Sequence, residues 1–326
     1  MNRWIFETLH PEIYHGFNRQ APYFEGWYYR LINAREDKRY AVIVGIFLGS
    51  GAHAFIQVLE GHTRKTAYHS FPIEQFQADT QRFFVRLGDN ESSDDRLKLA
   101  LDRTGELGQL KGELRFSEIQ PGPVRWNAPG AMGFFGWLPF LECNHGVLSF
   151  NHAINGSLEV DGDSITFDGG RGYMEKDWGK SFLSAYIWMQ SNHFDDPQVS
   201  LMASMARVPL LGMTMRGFIV GLRIGEQLYD FSTYSGARIE KLTLSEDHVT
   251  WILRKGELRL EIEAARATGG VIYGPTLKNG MGKRVDETLD ASLKVRLLDG
   301  SRILFEGIGW HAGLEVNGEV ERLIVF

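Results

Sequence analysis

Two carboxyl groups, two residues apart, mark the segment of this sequence with the clearest capacity for chemistry. Its sequence is Tyr173-Met-Glu-Lys-Asp-Trp-Gly179. In an extended strand, residues two apart point to the same face, so Tyr173, Glu175 and Asp177 would line one side. If that side is enclosed, each ionised carboxyl raises the pKa of the other, and burial raises both. One carboxyl would then stay protonated near neutral pH as a general acid, for which we favour Asp177 over Glu175.

A second segment close behind it supplies an aromatic and amide-rich strand face. Its residues on that face are Tyr186, Trp188, Gln190 and Asn192. Such a face suits the wall of a cavity for an amphipathic ligand, because the rings are apolar and the amides can orient an oxygen atom. We expect this strand to pair with the strand that carries the carboxyls. A Trp ring beside the acid would stabilise a developing cation by ~0.5–2 kcal/mol.

Three interpretations of these two segments stay open on spacing alone. Acid and aromatic walls suit the protonation of an alkene followed by trapping of the carbocation. They equally suit the binding of an aromatic, apolar ligand without reaction. In a purely structural role, the amides would tie strand ends to backbone groups, and the carboxyls would be solvated or paired with Lys176, Lys180 or Arg171.

The motifs of cofactor and metal sites are missing from the sequence. It has no glycine-rich nucleotide-binding motif, no pair of histidines at helical metal spacing and no nucleophile elbow. We therefore expect no cofactor and no metal, since scattered histidines are usually structural. Cys143 is the single cysteine, which excludes a disulfide framework, and it has no activating partner in sequence. The histidines that could meet in space are His10, His53, His145 and His152.

Composition restricts the class of protein. The chain has 326 residues, a net charge of −6 and 43% hydrophobic residues. The hydrophobic content excludes global disorder, and the negative net charge differs from the basic character of a nucleic-acid binder. The first residues contain no apolar stretch long enough for a secretory leader, and no run of 18 apolar residues occurs, so we expect a cytoplasmic protein. Residues 131–141 are apolar but broken by glycine and proline, which predicts an ordered loop or short helix. Its aromatic residues would guard a ligand entrance, contact a membrane surface or pack between domains: Phe134, Phe135, Trp137 and Phe140.

The elements that must position these residues are short antiparallel strands. Glycine is abundant, with 37 residues, and apolar residues alternate with charged ones over 258–264 and 292–298. A turn of helix is also predicted over 72–80. Hairpin tips are predicted at Asp161-Gly162, Gly225-Glu226, Lys255-Gly256, Asp299-Gly300 and Asn317-Gly318. The pattern predicts an all-β protein with little helix, in which residues 1–19 form an N-terminal arm, 20–168 a first barrel and 169–326 a second.

Four blocks of the sequence, in the same order, resemble tocopherol cyclases. The segment Tyr23-Phe-Glu-Gly-Trp-Tyr-Tyr-Arg30 is similar to their FEGWYFR segment, and residues 173–194 are similar to their YSEKNWG…FP…WVQCNVF signature. Residues 274–282 resemble their APT…G stretch, and residues 311–318 resemble their terminal MAAVEIGG. Asp177 stands where the family pattern has Asn, and Leu183 stands where it has Pro. Because the family pattern has no carboxyl group at the position of Asp177, Glu175 is the alternative acid.

The resemblance implies two lipocalin-like antiparallel β-barrel domains, as in carotenoid hydratases and lipocalin-like Diels–Alderases. Tocopherol cyclases protonate the prenyl double bond of a quinol and close a chromanol ring without a redox cofactor. The positions of this sequence that match the family's motifs are Glu175, Asp177, Trp178, Trp188, Gln190 and Asn192, with Glu25, Trp27 and Tyr28 from the first block.

The leading hypothesis is therefore a cyclase-like enzyme that acts on a prenylated quinol or isoprenoid, by acid-catalysed cyclisation or hydration, in a cavity near the junction of the barrels. Asp177 and Glu175 would supply the acid, and the other matched residues and Tyr186 would contact the substrate. The rival hypothesis is a non-catalytic lipocalin-type carrier of a hydrophobic small molecule. A third is an isomerase or pericyclase that acts by shape alone.

Overall fold

The chain folds almost entirely into antiparallel β-sheet. The computed structural model describes residues 2–210, 212–277 and 280–324. Strands make up 62% of it and helices 7%, arranged around two large sheets. The prediction of an all-β protein with two lipocalin-like domains and little helix is confirmed.

Two compact units divide the chain. The first contains Met1–Phe182 and Gly270–Val285, and the second contains Leu183–Gly269 and Asp286–Phe326. The chain therefore passes from the first unit to the second between Phe182 and Leu183. The domain boundary predicted after residue 168 stays a prediction.

The first sheet has twelve strands. Its spatial order is β4-β3-β2-β1-β12-β10-β9-β8-β7-β6-β5, with β11 paired to β10. The strands are β1 (Tyr23–Ile32), β2 (Arg39–Leu48), β3 (His53–Glu60), β4 (Thr66–Phe71), β5 (Phe76–Ala78), β6 (Phe84–Leu87), β7 (Asn90–Ser93), β8 (Arg96–Leu101), β9 (Leu110–Ser117), β10 (Cys143–Val160), β11 (Asp163–Thr166) and β12 (Gly170–Gly179).

The second sheet has ten strands, in the order β16-β15-β14-β13-β22-β21-β19-β18-β17, with β20 paired to β21. They are β13 (Ala185–Ser191), β14 (Val199–Leu210), β15 (Met213–Ile224), β16 (Gln227–Asp230), β17 (Arg238–Leu244), β18 (His248–Lys255), β19 (Leu258–Ala265), β20 (Gly270–Thr276), β21 (Gly280–Asp299) and β22 (Arg302–Gly318). The helices of the described ranges are α1 (Arg3–Leu9), α2 (Glu321–Ile324) and 3-10 turns at Ile73–Gln75, Gly133–Trp137 and Thr233–Ser235.

Strand alternation determines which side chains enter each core. On β19, Leu260, Ile262 and Ala264 are buried in the core of the second unit, whereas Glu261 pairs outside with Arg296. By contrast, all ten residues of β1 are buried, on both faces of the sheet. One face of β1 places Tyr23, Trp27 and Tyr29 in the core of the first unit, together with Glu25, and the opposite face carries Tyr28 and Arg30. This doubly buried strand lies at the centre of the first sheet.

Most of the local predictions are confirmed. Hairpins form at the predicted tips after β10, β15, β18 and β21. Residues 131–141 contain the predicted short helix, as the 3-10 turn Gly133–Trp137. Over 72–80, a 3-10 turn at Ile73–Gln75 is followed by β5.

Two predictions about strand connections are wrong. Asn317-Gly318 is not a hairpin tip, because β22 ends there and α2 follows. The strand with Tyr186 does not pair with the strand of the carboxyls either, because β12 already has β1 on one edge and β10 on the other. The later strand, β13, pairs instead with β14 and β22.

A buried ion pair fastens the N-terminal arm to the first sheet. Lys176 Nζ on β12 lies 2.5 Å from Glu25 Oε1 on β1, and both side chains are fully buried. The ammonium group also donates to the Ile13 carbonyl and to His15 Nδ1, at 2.6 Å in the latter case. Tyr23 Oη and the His15 backbone N–H donate to the Glu25 carboxylate, at 2.5 Å and 3.0 Å. We call Lys176, Glu25 and His15 the arm clamp.

Burial acts against both charges of the Lys176–Glu25 pair, and it lowers the pKa of Lys176 although the charge of Glu25 opposes this. Burial would raise the pKa of Glu25, but the positive charge of Lys176 and the hydrogen bond from His15 outweigh burial and lower it. Burial and the charge of Lys176 lower the pKa of His15, so its ring is neutral. The neutral ring accepts from Lys176 at Nδ1 and donates from Nε2 to the Glu7 carbonyl at 2.8 Å.

The arm clamp predicts a large effect of removing its cation. Lys176→Met would leave the Glu25 carboxylate buried without a counter-charge, so we expect the free energy of unfolding to fall by about 3–5 kcal/mol. Urea denaturation measures this change. Lys98→Met, at an exposed position of β8, is the matched control and should stay within about 0.5 kcal/mol of the wild type. Equal stability of the two variants would contradict a stabilising role for the arm clamp.

Candidate active site

The register of three neighbouring strands assembles a polar cluster on one face of the first sheet. Asp177 lies directly opposite His145 of β10 and opposite Gly26 of β1. Glu175 lies directly opposite Tyr28. Residues directly opposite each other in antiparallel strands share a face. The predicted shared face of Tyr173, Glu175 and Asp177 is therefore present, and β10 adds a histidine to it.

Four side chains of this face form a continuous chain of close contacts, in the order Tyr173, Glu175, His145 and Asp177. Tyr173 Oη donates to Glu175 Oε2 at 2.5 Å. The same carboxylate oxygen lies 3.5 Å from His145 Nε2, and His145 Nδ1 lies 2.9 Å from Asp177 Oδ1. The Glu175 side chain is 6% exposed and that of Asp177 is 27% exposed. We call Tyr173, Glu175, His145 and Asp177 the proton cluster.

The charges of the proton cluster favour a protonated imidazole. Burial alone would lower the pKa of His145, but the negative charges of Glu175 and Asp177, together with the hydrogen bond to Asp177, raise it to about 9. At neutral pH the ring therefore carries a positive charge between the two carboxyl groups. Burial, and then the charge of Glu175, raise the pKa of Tyr173, which stays a phenol and donates its proton.

Three members of the proton cluster also form a possible donor set for a metal ion. His145, Glu175 and Asp177 each offer one ligand atom, and these atoms lie within 4.8 Å of one another. Metal binding requires a neutral imidazole. A metal ion at this position would therefore have to displace the proton that the two carboxyl groups favour on the ring.

The other matched residues of the first unit divide between the two faces of the sheet. Tyr28 is on the face of Glu175, which it opposes directly. Glu25 belongs to the arm clamp on the opposite face. Trp27 lies in the core, stacks on Phe83 at 5.3 Å and donates from Nε1 to the Glu12 carbonyl. Trp178 stacks on His15 at 4.7 Å, so it also faces away from Glu175.

The matched residues of the second unit occupy a buried polar face. Ile187 and Met189 point into its core, as predicted, and Trp188 and Gln190 share the opposite face with Tyr186. Tyr186 Oη donates to Glu315 Oε2 at 2.7 Å. Asn192 lies just beyond the end of β13, and its Oδ1 is 2.8 Å from His193 Nδ1.

The histidine of the proton cluster was not selected from the sequence as a site residue. His145 is distant in sequence from Glu175, and the strand pairing that joins them is non-local. The arm-clamp residues Lys176 and His15 were not selected either. The other histidines of the predicted group have separate partners: His10 contacts Glu12, His53 contacts Tyr68, and His152 contacts Ser149. Burial, followed by the charges of Asp177 and Glu142, raises the pKa of Cys143, which disfavours a nucleophilic thiolate.

A cavity of about 250 Å³ lies within the first unit. The N-terminal arm contributes Trp4 and His15 to its lining. The segment 126–141, which we call the aromatic loop, contributes Leu138 and Leu141, and the ends of β10 and β12 contribute His145 and Trp178. The loop around Gly133–Trp137 therefore lines a cavity, although Glu175 and Asp177 themselves do not. His145 lines the cavity, but it lies opposite Asp177, on the other sheet face from the Trp178 ring.

Comparison with known proteins gives a family match that covers more than half of the chain. Residues 115–318, well over half of the sequence, match the family described as tocopherol cyclase-like. The chain belongs to the tocopherol cyclase-like family. The match includes the whole proton cluster, whereas Glu25, Trp27 and Tyr28 precede it.

Two curated relatives of this tocopherol cyclase-like chain are plant proteins. The chloroplastic tocopherol cyclase of Zea mays is 29% identical over 202 residues, which cover 56% of this chain and 41% of the relative. A chloroplastic protein of Oryza sativa subsp. japonica, named as a probable tocopherol cyclase, is 27% identical over 202 residues, covering 56% and 42%. The chain thus spans about two fifths of the length of these relatives.

Solved structures share the fold of this tocopherol cyclase-like protein. CghA, determined with Sch210972, has a TM-score of 0.56 at 11% identity and covers 91% of this chain and 89% of its own. Kievitone hydratase of Nectria haematococca has a TM-score of 0.50 at 13% identity and covers 94% of each chain. At these identities the likeness establishes the fold alone.

The raised pKa of His145 predicts a pH-dependent stability. A folded-state pKa of about 9, above the ordinary value of 6.5, adds stability that is complete below pH 6.5 and is lost as the pH rises through 9. A shift of this size corresponds to roughly 3 kcal/mol. Between these pH values, wild-type protein should lose that much more unfolding free energy than His145→Gln in urea titrations. Parallel pH profiles of the two proteins would contradict the imidazolium.

Proposed function

We propose that this protein catalyses the acid-dependent addition of an oxygen nucleophile to an alkene of a prenylated quinol or related isoprenoid. The observation that carries the proposal is the buried line from Tyr173 through Glu175 and His145 to Asp177. It holds a transferable proton between two carboxyl groups on one sheet face. The family membership and the curated relatives named as tocopherol cyclases support the substrate class.

The proposed reaction conserves atoms and needs no redox cofactor. The proton cluster gives a proton to one alkene carbon, so a C–H bond forms and the other carbon becomes a tertiary cation. The two carboxylates left behind stabilise this cation electrostatically. The phenol oxygen then attacks the cation, a C–O bond closes the ring, and the phenol proton returns to the proton cluster. With water as the nucleophile, the same steps give hydration.

Within the proton cluster, we propose that the His145 imidazolium holds the proton and that Glu175, in place of the favoured Asp177, is the carboxyl group that relays it to the alkene. Glu175 is the more deeply buried carboxyl and has both Tyr173 and His145 as partners. We propose that Asp177 acts through His145, whose ring it orients by the 2.9 Å contact. The proposed substrate contacts of Trp178, Trp188, Gln190 and Asn192 stay predictions.

We also propose that the aromatic loop contacts a membrane surface, from which a hydrophobic substrate would be taken. The side chains of Trp126, Phe134 and Phe140 are 66%, 52% and 48% exposed. Trp137 packs between Trp4 and Trp126 at 5.2 and 5.1 Å and anchors the group. Exposed aromatic rings of this kind favour the membrane–water interface. No helix of the described residues is long and apolar enough to cross a bilayer. The cytoplasmic location stays a prediction.

The acid is tested with two isosteric variants assayed side by side. Glu175→Gln should lower the turnover of geranyl hydroquinone by roughly 10²–10⁴-fold, the range for loss of a general acid. Asp177→Asn should give a smaller loss, because His145 retains its contact with Glu175. Product formation is followed by chromatography, with ligand affinity as the binding control.

Glu159→Gln provides the matched control for the acid, because Glu159 is exposed on β10 away from the proton cluster. It should keep wild-type turnover. If both Glu175→Gln and Asp177→Asn also keep full turnover, the acid lies elsewhere or the protein is a carrier.

The membrane contact is tested with vesicles of phosphatidylcholine and phosphatidylglycerol. Sedimentation should recover the wild-type protein with the vesicles, and the double replacement Phe134→Ser and Phe140→Ser should lower the bound fraction several-fold, because apolar insertion is lost. The matched control replaces Ile303 and Trp310, which are 47% and 49% exposed in the second unit, by Ser. An equal loss of binding in the control would exclude the aromatic loop as the specific contact.

A further inference from the structure

We propose that His145 and Glu175 bind a divalent transition-metal ion such as Zn²⁺, and that the bound ion inhibits the protein by taking the place of the transferable proton. The metal site is argued from geometry, whereas the inhibition rests on the proposed function. The sequence has no metal-binding motif, because His145 reaches the carboxyl groups only through the pairing of β10 with β12.

The separation of the two donor atoms suits a metal ion between them. His145 Nε2 lies 3.5 Å from Glu175 Oε2. This distance is longer than a normal N–H···O hydrogen bond of about 2.7–3.2 Å. Bonds from Zn²⁺ to an imidazole nitrogen and to a carboxylate oxygen are each about 2.1 Å long. Two such bonds span 3.5 Å at an angle of about 113°, close to the tetrahedral angle that zinc prefers.

The Nε2 atom of His145 is available as a metal ligand. His145 Nδ1 lies 2.9 Å from Asp177 Oδ1. A carboxylate only accepts hydrogen bonds, so Nδ1 carries the proton of a neutral ring and Nε2 keeps its lone pair. Nε2 is a buried atom with no hydrogen-bond partner among the described residues, and it faces Glu175. A lone pair that faces a carboxylate oxygen requires a cation between them, which is either a proton or a metal ion.

Each of the two proposed ligands is held by a further polar residue. Asp177 orients the His145 ring through Nδ1, and Tyr173 Oη donates to the Glu175 carboxylate at 2.5 Å. Histidine and carboxylate ligands of metal ions usually have such partners, which fix the ligand and raise the affinity for the metal. The cluster therefore contains both the ligands and their supports, which a chance group of acidic residues lacks.

The donor types favour zinc-like ions over hard cations. An imidazole nitrogen among the donors suits Zn²⁺, whereas Mg²⁺ and Ca²⁺ prefer a shell of oxygen atoms. The ligand atoms of His145, Glu175 and Asp177 lie within 4.8 Å of one another, the single group of this kind in the described part of the chain. The two carboxylates neutralise the charge of a divalent ion.

A metal ion at this position would block the proposed proton relay. The relay passes a proton from His145 through Glu175 to the alkene. An ion bound to Nε2 and to the Glu175 carboxylate occupies both groups of the relay. The protein would then still bind its substrate but could not protonate it.

The metal site is tested by titrating the untagged full chain with Zn²⁺ in a calorimeter. The wild type should bind one ion per chain. His145→Gln and Glu175→Gln each remove a ligand and should weaken binding by more than about 100-fold, and if one of them does not fold, the other decides the test. Tyr173→Phe removes only the support of Glu175 and should weaken binding by about tenfold. Visible absorption of bound Co²⁺ should appear with the wild type and be absent with His145→Gln.

His53→Gln is the matched control, because His53 contacts Tyr68 on the outer strands β3 and β4 of the same sheet. It should bind Zn²⁺ with wild-type affinity. Undiminished binding in both ligand variants, or an equal loss of binding in His53→Gln, overturns the inference.

The failure of the metal site and the failure of the proposed function give different results. Turnover of geranyl hydroquinone is measured with and without saturating Zn²⁺, and we expect the inhibition to be reversed by EDTA. If Zn²⁺ binds as described while turnover is unchanged, the metal site stands, and the inhibition and the proposed acid are wrong. If the wild type binds no Zn²⁺ while Glu175→Gln lowers turnover, the metal site is wrong and the proposed function stands.

Discussion

The buried pair of Lys176 and Glu25 is the interaction on which the first unit depends. Removing two charges from water is costly, and the cost is offset only when every donor and acceptor has a partner. Here the ammonium group has three acceptors and the carboxylate has three donors, supplied by β1, β12 and the arm. The pair therefore joins three segments that are distant in sequence.

The same pair determines the orientation of the candidate catalytic groups. Successive side chains of a strand point to opposite faces, so the inward direction of Lys176 sends its neighbours Glu175 and Asp177 outward together. The pairing of Lys176 with Glu25 therefore determines the direction in which Glu175 and Asp177 point. The histidine opposite Asp177 then changes the electrostatics of the carboxyl pair. Two isolated carboxyls would repel and share a proton, whereas an imidazolium between them neutralises the repulsion and carries the proton itself.

Local patterns in the sequence were sufficient for the fold class and for part of the site. Alternation placed Tyr173, Glu175 and Asp177 on one face, and glycine-containing dipeptides located four hairpins. Such local patterns could not predict which strands pair when they are distant in sequence. The addition of His145 depends on β10 reaching β12 across the intervening chain, and the arm clamp depends on Ile13 and His15 returning to the sheet. Glu25 and Trp178 matched family positions near the carboxyls, yet they point to the other face.

Because both faces of β12 carry buried polar groups, this strand tolerates substitutions more easily than changes in its length. A single inserted or deleted residue between Tyr173 and Gly179 would exchange the two faces for every side chain beyond it. Lys176 would then meet the proton cluster, and a carboxyl would enter the aromatic core. Related proteins can therefore vary in residue type along this strand, but a change in its length would remove the anchor of the arm and the acid at the same time.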